Sequence, residues 1–412
     1  MIKGGSIDMK DFTPVLLGSD VNVYGMARGF HLAYGIPSYA IGKGRLAATK
    51  DSKIVTVEVE PDLENPETFV STLLAFKQRH PNERLLLVPC GDNYIKLLVQ
   101  TQDQLKHHYE FACIDQALFD RLSLKERFYE TCRAYGLDFP ETAIIEKGSY
   151  AEQPISIPFP RIIKPSDSVK YWNCSFPYKK KVFLAETQQE YDDILHAVYA
   201  SSYDGNLIIQ EFIPGDDSAM HVLNCFSGKD GKVRLIAHGH ALLEEHTPEG
   251  IGSYATIISA CDEALIERIK TFLEEIGYIG FSNFDMKYDT RDGKYKLFEI
   301  NPRPGRSSFF VTGSGYNLSK FLADDIIYDK KQDFVIAREE YLWTIIPRSV
   351  IFKYVSDAAL KEKAKALIQQ GRVNHALFYK GDRSLKRTLQ MMIYNHRYVK
   401  RYKDFFGNKG LR

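Results

Sequence analysis

Two short stretches near residue 290 hold side chains whose types and spacing could do phosphoryl chemistry together. Asp285 lies in FSNFDMKYD, while Glu299 and Asn301 lie in LFEINPR, with TRDG between the two runs. A turn of that kind between strand-like segments predicts a β-hairpin. Glu299 and Asn301 are two apart, so on a strand they share one face, and Asp285 on the neighbouring strand can reach it. Two carboxylates and an amide oxygen form a hard oxygen set suited to Mg²⁺, which binds through a few carboxylates plus substrate phosphates. Two such ions bridging the phosphates would neutralise the charge that builds during phosphoryl transfer. Arg303 and Arg306 follow at once and can clamp the γ-phosphate or acyl-phosphate oxygens. The plain alternative is an edge hairpin whose charges are merely solvated.

The elements that must position these groups are legible as periodic segments. PVLLG at 14–18, IPSYAIG at 36–42, IVTVEVE at 54–60 and RLLLVPCGD at 84–92 read as strands. SDVNVYG at 19–25 reads as a polar turn, followed by helical stretches at 26–34 and 66–80. Strands and helices alternating at this interval imply a doubly wound parallel α/β unit over residues 1–115. Beyond it, 123–135 is predicted as an amphipathic helix capped by Ser123 and stopped at Gly136. Strands are expected at 158–165, 182–187, 207–217, 221–226 and 233–240, and helices at 187–202 and 262–277. Residues 166–181 read as a polar loop ending in three lysines, 179–181.

With these segments in place, FEINPRPG resembles the E-x-N-x-R signature of the ATP-grasp carboxylate–amine ligases. Three further segments fall in that family's order. Lys125, in SLKERFYETCRAYGLDFP, resembles the first nucleotide-binding lysine, and Lys164, in RIIKP, the second, which reaches the α/β-phosphates. QEFIPGDD resembles the hinge strand that holds adenine through Gln210, Glu211 and Ile213, with Asp217 on the ribose hydroxyls. The resemblance implies an N-terminal α/β domain (1–115), a small ATP-grasp subdomain with the lysines (116–220), a C-terminal ATP-grasp subdomain with the metal site (221–335), antiparallel sheets in both, and a basic helical extension (336–412). It implies ATP as substrate and two Mg²⁺ ions, with Asp285, Glu299 and Asn301 as ligands and Arg303 and Arg306 as catalytic groups. One departure stands out: the phosphate-covering loop of the family is rich in glycine, and 165–181 contains none. Ser166 and Ser168, or the lysines at 179–181, are the candidate substitutes.

A wider combination, GSDVNVYGMARGF, QEFIPGDDSAMHVLN, GFSNFDMKYDTRDGKYKLFEINPRPGRSSFFVT and KGDRSLKR, is similar to the bacterial D-aspartate ligases over nearly the whole chain. That similarity implies phosphorylation of the β-carboxylate of D-aspartate and its transfer to the lysine amine of a nucleotide-linked muramyl pentapeptide, which starts a peptidoglycan cross-bridge. The motifs by themselves argue only for carboxylate activation. They leave open an amino-acid or dipeptide ligase with small free substrates, or a nucleotide-binding protein that has lost catalysis.

Other residues carry weaker signals. Asp20, Asn22 and Arg28, after the first strand, are candidates for a substrate carboxylate or amine, with turn chemistry and a helix cap as the alternative. Ser307 is placed either on the acyl phosphate or in a turn. His238, His240 and His246 lack zinc-ligand spacing and read as strand and loop histidines. The six cysteines show no CxxC, so a reduced, cytoplasmic chain is expected. No apolar run approaches the ~20 residues of a membrane span, and the N-terminus has no apolar signal-peptide core. The chain is 44% apolar and 26% charged, which excludes disordered and fibrous classes. Its net charge of +1 hides an asymmetry: residues 349–412 carry 15 Lys+Arg against 4 Asp+Glu, and the remainder is net −10. A basic tail on an acidic body suggests an anionic partner, either the pyrophosphate of the precursor or a membrane surface, or else only a solvated face. Nucleic acid is not expected: Phe378, Tyr379, Tyr394, Tyr398 and Tyr402 suit helix packing equally well.

Overall fold

A computed structural model describes residues 11–148, 155–177, 179–180, 182–247 and 250–407, without the side chains of 168, 169 and 172. The chain opens as β1 (Thr13–Leu17), α1 (Val21–Tyr34), β2 (Ser38–Gly42), β3 (Val55–Val59), α2 (Pro66–Arg79), β4 (Leu85–Pro89) and α3 (Asp92–Leu105). All four strands are parallel, in the order β3-β2-β1-β4. β1 and β4 are buried at every position, as a strand covered by helices on both faces must be. The stretch read as a polar turn at 19–25 instead begins α1. Asp20 caps it, accepting from the backbone N–H of Asn22 (3.1 Å) and Val23 (3.2 Å), and two apparently polar residues inside the first turn, Asn22 and Tyr24, face the core.

The second unit is α4 (Gln116–Ser123), α5 (Lys125–Ala134), β5 (Thr142–Ile145), β6 (Arg161–Pro165), α6 (Ser168–Asn173), β7 (Phe183–Ala185), α7 (Gln188–Tyr199) and β8 (Leu207–Glu211). Its sheet is antiparallel, ordered β5-β8-β6-β7. Two sequence expectations change here. Ser123 ends α4, and the extended Leu124 starts α5, because a separate eight-residue helix precedes it. The expected loop at 166–181 contains the helix α6.

The remainder is β9 (Met220–Ser227), β10 (Val233–Glu244), β11 (Tyr254–Ala260), α8 (Glu263–Glu275), β12 (Gly280–Asp289), β13 (Lys294–Asn301), α9 (Phe310–Gly313), α10 (Leu318–Ile326), β14 (Val335–Ile336), β15 (Leu342–Thr344), α11 (Arg348–Tyr354), α12 (Ala358–Gln369), β16 (Val373–His375) and α13 (Leu385–Phe405). The large sheet runs β13-β12-β9-β10-β11-β15-β16, with β14 on β10. The expected division at 335/336 therefore falls inside one sheet: β15 pairs with β11, and β16 with β15. The basic C-terminal segment is not an appendage. Arg387, Met391, Tyr398 and Tyr402, at helical spacing on α13, are buried against the body. The six cysteines are free thiols, four of them buried. Among the described residues no helix is long and apolar enough to cross a membrane.

Candidate functional site

The hairpin forms as the sequence implies, and its register decides the site. Asp285 on β12 lies opposite Glu299 on β13, and Asn283 opposite Asn301. The Asn301 amide donates to Asp285 Oδ2 at 3.1 Å. A tyrosine not singled out from the sequence, Tyr254 at the start of β11, donates to Asp285 Oδ1 at 2.8 Å and lies 3.1 Å from the His221 carbonyl. Burial, and then the neighbouring Glu299 charge, push the Asp285 carboxyl up from an ordinary 3.8 to about 7. Two carboxylates so close repel one another in a partly dehydrated setting, and a divalent cation removes that penalty. The donor set thus fits Mg²⁺: two carboxylates, one amide oxygen and space beside them for phosphate oxygens.

That space is a cleft of about 150 Å³ between the small antiparallel sheet and the large one. Lys125, Lys164, Val182, Met220, Phe298 and Glu299 are on its walls, together with Asp285 and Tyr254. Lys125 begins α5 and holds its ammonium 3.8 Å from Glu299. Lys164 projects from β6, 3.2 Å from the Tyr129 hydroxyl and over the Tyr129 and Phe298 rings. Tyr129 in turn donates to the Phe298 carbonyl at 2.9 Å, linking α5 to β13. Two lysines and two carboxylates from α5, β6 and the β12–β13 hairpin therefore converge on one cavity, and the Asn301 amide contacts one of those carboxylates, Asp285. Cations and carboxylates lining one cavity suit a polyanion that is bound together with metal ions.

The hinge segment beside it is built mainly from inward contacts. Gln210 is buried and donates to Thr142 Oγ1 at 2.8 Å. Glu211 accepts from the Glu141 N–H (2.9 Å) and pairs with Arg291 at 2.6 Å. Ile213 is buried, and its carbonyl accepts from Lys287 Nζ at 2.8 Å. The structure does not bring Asp217 to the cleft. It is 4% exposed, and its Oδ2 accepts from the Glu244 N–H (2.9 Å) and from His246 (2.8 Å). A carboxylate so engaged ties the turn after β8 to the end of β10.

Of the candidates to replace the missing loop glycines, Ser166 donates to Glu126, and Lys179 donates to the Cys174 carbonyl at 2.6 Å. Burial lowers the pKa of Lys180. The Ser168 side chain and Lys181 lie outside the described residues.

The arginines after β13 sit at a three-way junction. Arg303 makes a fork to Asp92, at the start of α3, with Nε–Oδ1 2.8 Å and Nη2–Oδ2 3.2 Å. Arg306 donates from Nη2 to Glu245, just past β10, and to the Tyr398 hydroxyl of α13 at 3.2 Å. Burial opposes the Arg306 charge, but Glu245 and its neighbours more than offset this and hold its pKa above the ordinary arginine value. Asp20 faces the same junction: burial raises its pKa, and Arg306 and Arg303 act against that rise. The loop reaches this place because Gly305 has no side chain. A Cβ there would lie 2.8 Å from Asn283 Nδ2.

Asn22 and Arg28 serve the scaffold. Asn22 is 3% exposed and donates to the carbonyls of Cys90 (2.8 Å) and Pro304 (2.6 Å), strapping the N-terminal sheet to the arginine loop. Arg28 is 6% exposed, between Phe309 and Tyr379, and donates to Asn374 Oδ1 (2.9 Å) and the His375 carbonyl (3.0 Å). Neither is open to a substrate. Ser307 is also buried, and its carbonyl accepts from the Phe310 N–H at 2.9 Å in the turn before α9. His238 and His240 pack with His221 on the sheet, with His221 Nδ1 2.9 Å from His238 Nε2. No metal-holding group of three or more His, Cys, Asp or Glu is found among the described residues.

Asp92, Tyr129, Glu245, Tyr254 and Tyr398 carry no local signal. Each is an ordinary helix, strand or loop residue until folding sets it beside a motif residue.

Comparison with known proteins agrees with this geometry. No family model matches the chain. A curated D-aspartate ligase from Enterococcus faecium (strain Aus0004) is 42% identical over 418 residues, covering 98% of this chain and 99% of that protein. Among solved structures, N5-carboxyaminoimidazole synthetase from Staphylococcus aureus complexed with ADP superposes with TM-score 0.60. It has 10% identity and covers 95% of this chain and 100% of its own. The biotin carboxylase domain of Hydrogenobacter thermophilus 2-oxoglutarate carboxylase, solved with MgADP, gives TM-score 0.58 at 14% identity over 81% of this chain and 73% of its own. These structural likenesses carry the fold, and the sequence relative carries the family. The chain has the ATP-grasp fold and belongs to the D-aspartate ligase family.

Proposed function

We propose that the protein phosphorylates the β-carboxylate of D-aspartate with ATP and joins the acyl phosphate to the lysine side-chain amine of a nucleotide-linked muramyl pentapeptide, in the cytoplasm. The observation that carries this reading is the 42% identity to a D-aspartate ligase across 98% of the chain. The cleft of lysines and hard oxygen ligands supports it.

A carboxylate is a poor electrophile because oxide would have to leave. Attack of a carboxylate oxygen on the γ-phosphorus, with ADP leaving, gives an acyl phosphate. The amine then attacks the carbonyl carbon, and phosphate leaves as the nitrogen loses a proton. In this scheme Lys125 and Lys164 hold the phosphates, and the β8 hinge, through Gln210, Glu211 and Ile213, borders the adenine. Asp285, Glu299 and Asn301 would hold two Mg²⁺ ions, which would supply charge neutralisation on the phosphates when bound. Arg303 and Arg306 orient the carboxylate and its phosphate and stabilise the tetrahedral oxyanion. Asp20, beside both arginines, faces the α-ammonium of the amino acid. No protein nucleophile is needed.

The test is ADP release with ATP and Mg²⁺, comparing D-aspartate, L-aspartate and other amino acids, each with and without the lysine-containing precursor. Release requiring both D-aspartate and the precursor is expected. Release with a different acid or with a free amine would keep the chemistry and overturn the substrate.

The outer face of α13 supports a second element of the reading, contact with an anionic membrane surface. Leu385, Leu389, Met392 and Ile393 are exposed there beside Lys386, Arg397 and Lys400. Apolar side chains flanked by cations match a bilayer of acidic lipids. The protein is expected to co-sediment with phosphatidylglycerol vesicles and not with phosphatidylcholine vesicles. L389D/I393D should cut that binding about tenfold; equal sedimentation of the variant and the parent protein would remove the proposal.

A further inference from the structure

The C-terminal helix shows two different faces, and the inner one reaches Arg306. Tyr398 is 1% exposed. Its hydroxyl donates to Glu245 Oε1 at 3.1 Å and accepts from Arg306 Nη2 at 3.2 Å. Glu245, 6% exposed, accepts from the same Arg306 nitrogen. The three residues come from the position just past β10, the loop after β13, and α13, separated in sequence by 61 to 153 positions. Only the fold brings them together.

The geometry divides the guanidinium. Nη2 makes both contacts, and Nε and Nη1 donate no hydrogen bond to another described residue, while about a quarter of the side chain (27%) stays exposed. One edge of Arg306 is thus fixed by protein, and the other is left for an anion. An arginine on a flexible stem loses rotamer freedom when it binds a ligand, and pre-orientation removes that cost before the reaction. The Tyr398 ring is itself held, edge-on to Tyr394 at 5.6 Å and beneath Arg401.

We propose that Tyr398, with Glu245, is a positioning residue for Arg306, so that α13 forms a wall of the acyl-phosphate site and the C-terminal segment is part of the catalytic apparatus. This rests on the role given above to Arg306.

Tyr398→Phe removes the hydroxyl and keeps the ring. It is expected to lower kcat about 10–100-fold with KM for ATP unchanged, because the phosphate-binding lysines are untouched. Tyr109→Phe is the control. It removes an equally buried hydroxyl, bonded to the Leu73 carbonyl at 2.6 Å in the N-terminal unit, and should leave kcat within twofold. A second readout needs no substrate: modification by phenylglyoxal, mapped by mass spectrometry, should rise severalfold at Arg306 in Tyr398→Phe and stay at the parent level in Tyr109→Phe. Both changes are required. An unchanged kcat, an unchanged Arg306 adduct, or the same loss in Tyr109→Phe overturns the proposal. Absence of ADP release by the parent protein would instead count against the ligase reading, and the adduct would still report on the position of Arg306.

Discussion

Glu299→Gln and Asp285→Asn are each expected to lower kcat by at least about 10³-fold, equivalent to ~4 kcal/mol of transition-state stabilisation, while leaving the fold intact. Both residues face the cleft on paired strands, and an amide in place of either carboxylate halves the negative charge offered to a cation. The same substitutions should stabilise the metal-free protein. Because the folded-state pKa of Asp285 is raised from 3.8 to about 7, the native state binds a proton more tightly than the unfolded state between those values. Stability contributed by this group therefore falls as pH rises from about 4 to about 7, and the penalty is fully present above 7. Allowing for partial exposure, Asp285→Asn removes a penalty of order 1–3 kcal/mol at pH 8. The check is paired: steady-state ADP release, and thermal unfolding at pH 5 and pH 8 with and without MgADP. The parent protein should gain stability on adding MgADP, and the variant much less. Near-normal turnover in either variant would displace these residues from the metal site. Lys164→Ala provides a contrast, since its main effect should be a rise in KM for ATP.

Arg387→Met should cost about 3–5 kcal/mol of stability, the effect of leaving a buried charge without its partner. Arg387 is 2% exposed. Its fork donates to the carbonyls of Lys50 (2.8 Å) and Ala48 (2.7 Å), its Nε lies 2.9 Å from Asp382, and it stacks over Tyr24. Asp382 also accepts from Tyr24, Ser52 and the Lys53 N–H. Without the guanidinium, that carboxylate and two carbonyls stay buried with a cation removed. Asp382→Asn in the same chain should recover part of the loss, because the amide oxygen still accepts hydrogen bonds and carries no charge. Urea unfolding measures both. A shift below about 1 kcal/mol for Arg387→Met would mean that the C-terminal segment is held by its apolar contacts alone.

The contrast between these two sites marks what the sequence could disclose. The hairpin was legible because its chemistry is local: alternation puts Glu299 and Asn301 on one face, and a tight turn returns Asp285 beside them. Lys125 and Lys164 were legible through motif order, and both line the cleft. The reading failed where a residue type has two uses. The stretch 19–25 read as a polar turn, yet it opens α1: Asp20 takes the helix-cap alternative, and Asn22 fills a buried hydrogen-bonding position. Arg28 and Asp217 looked available for ligands and are spent on internal contacts.

The sequence by itself determined the hairpin and the parallel N-terminal sheet, because both follow from local periodicity and turn chemistry, while motif order along the chain pointed to the lysine-bearing segments and the kind of chemistry. Only the tertiary structure decided that the basic tail is part of the body. Its charge count treats every cation alike, whereas Arg387 is buried against Asp382 and Lys400 is exposed to solvent. Only the tertiary structure also joined Glu245, Arg306 and Tyr398, since a contact across 153 residues depends on how sheets and helices pack and leaves no periodic trace.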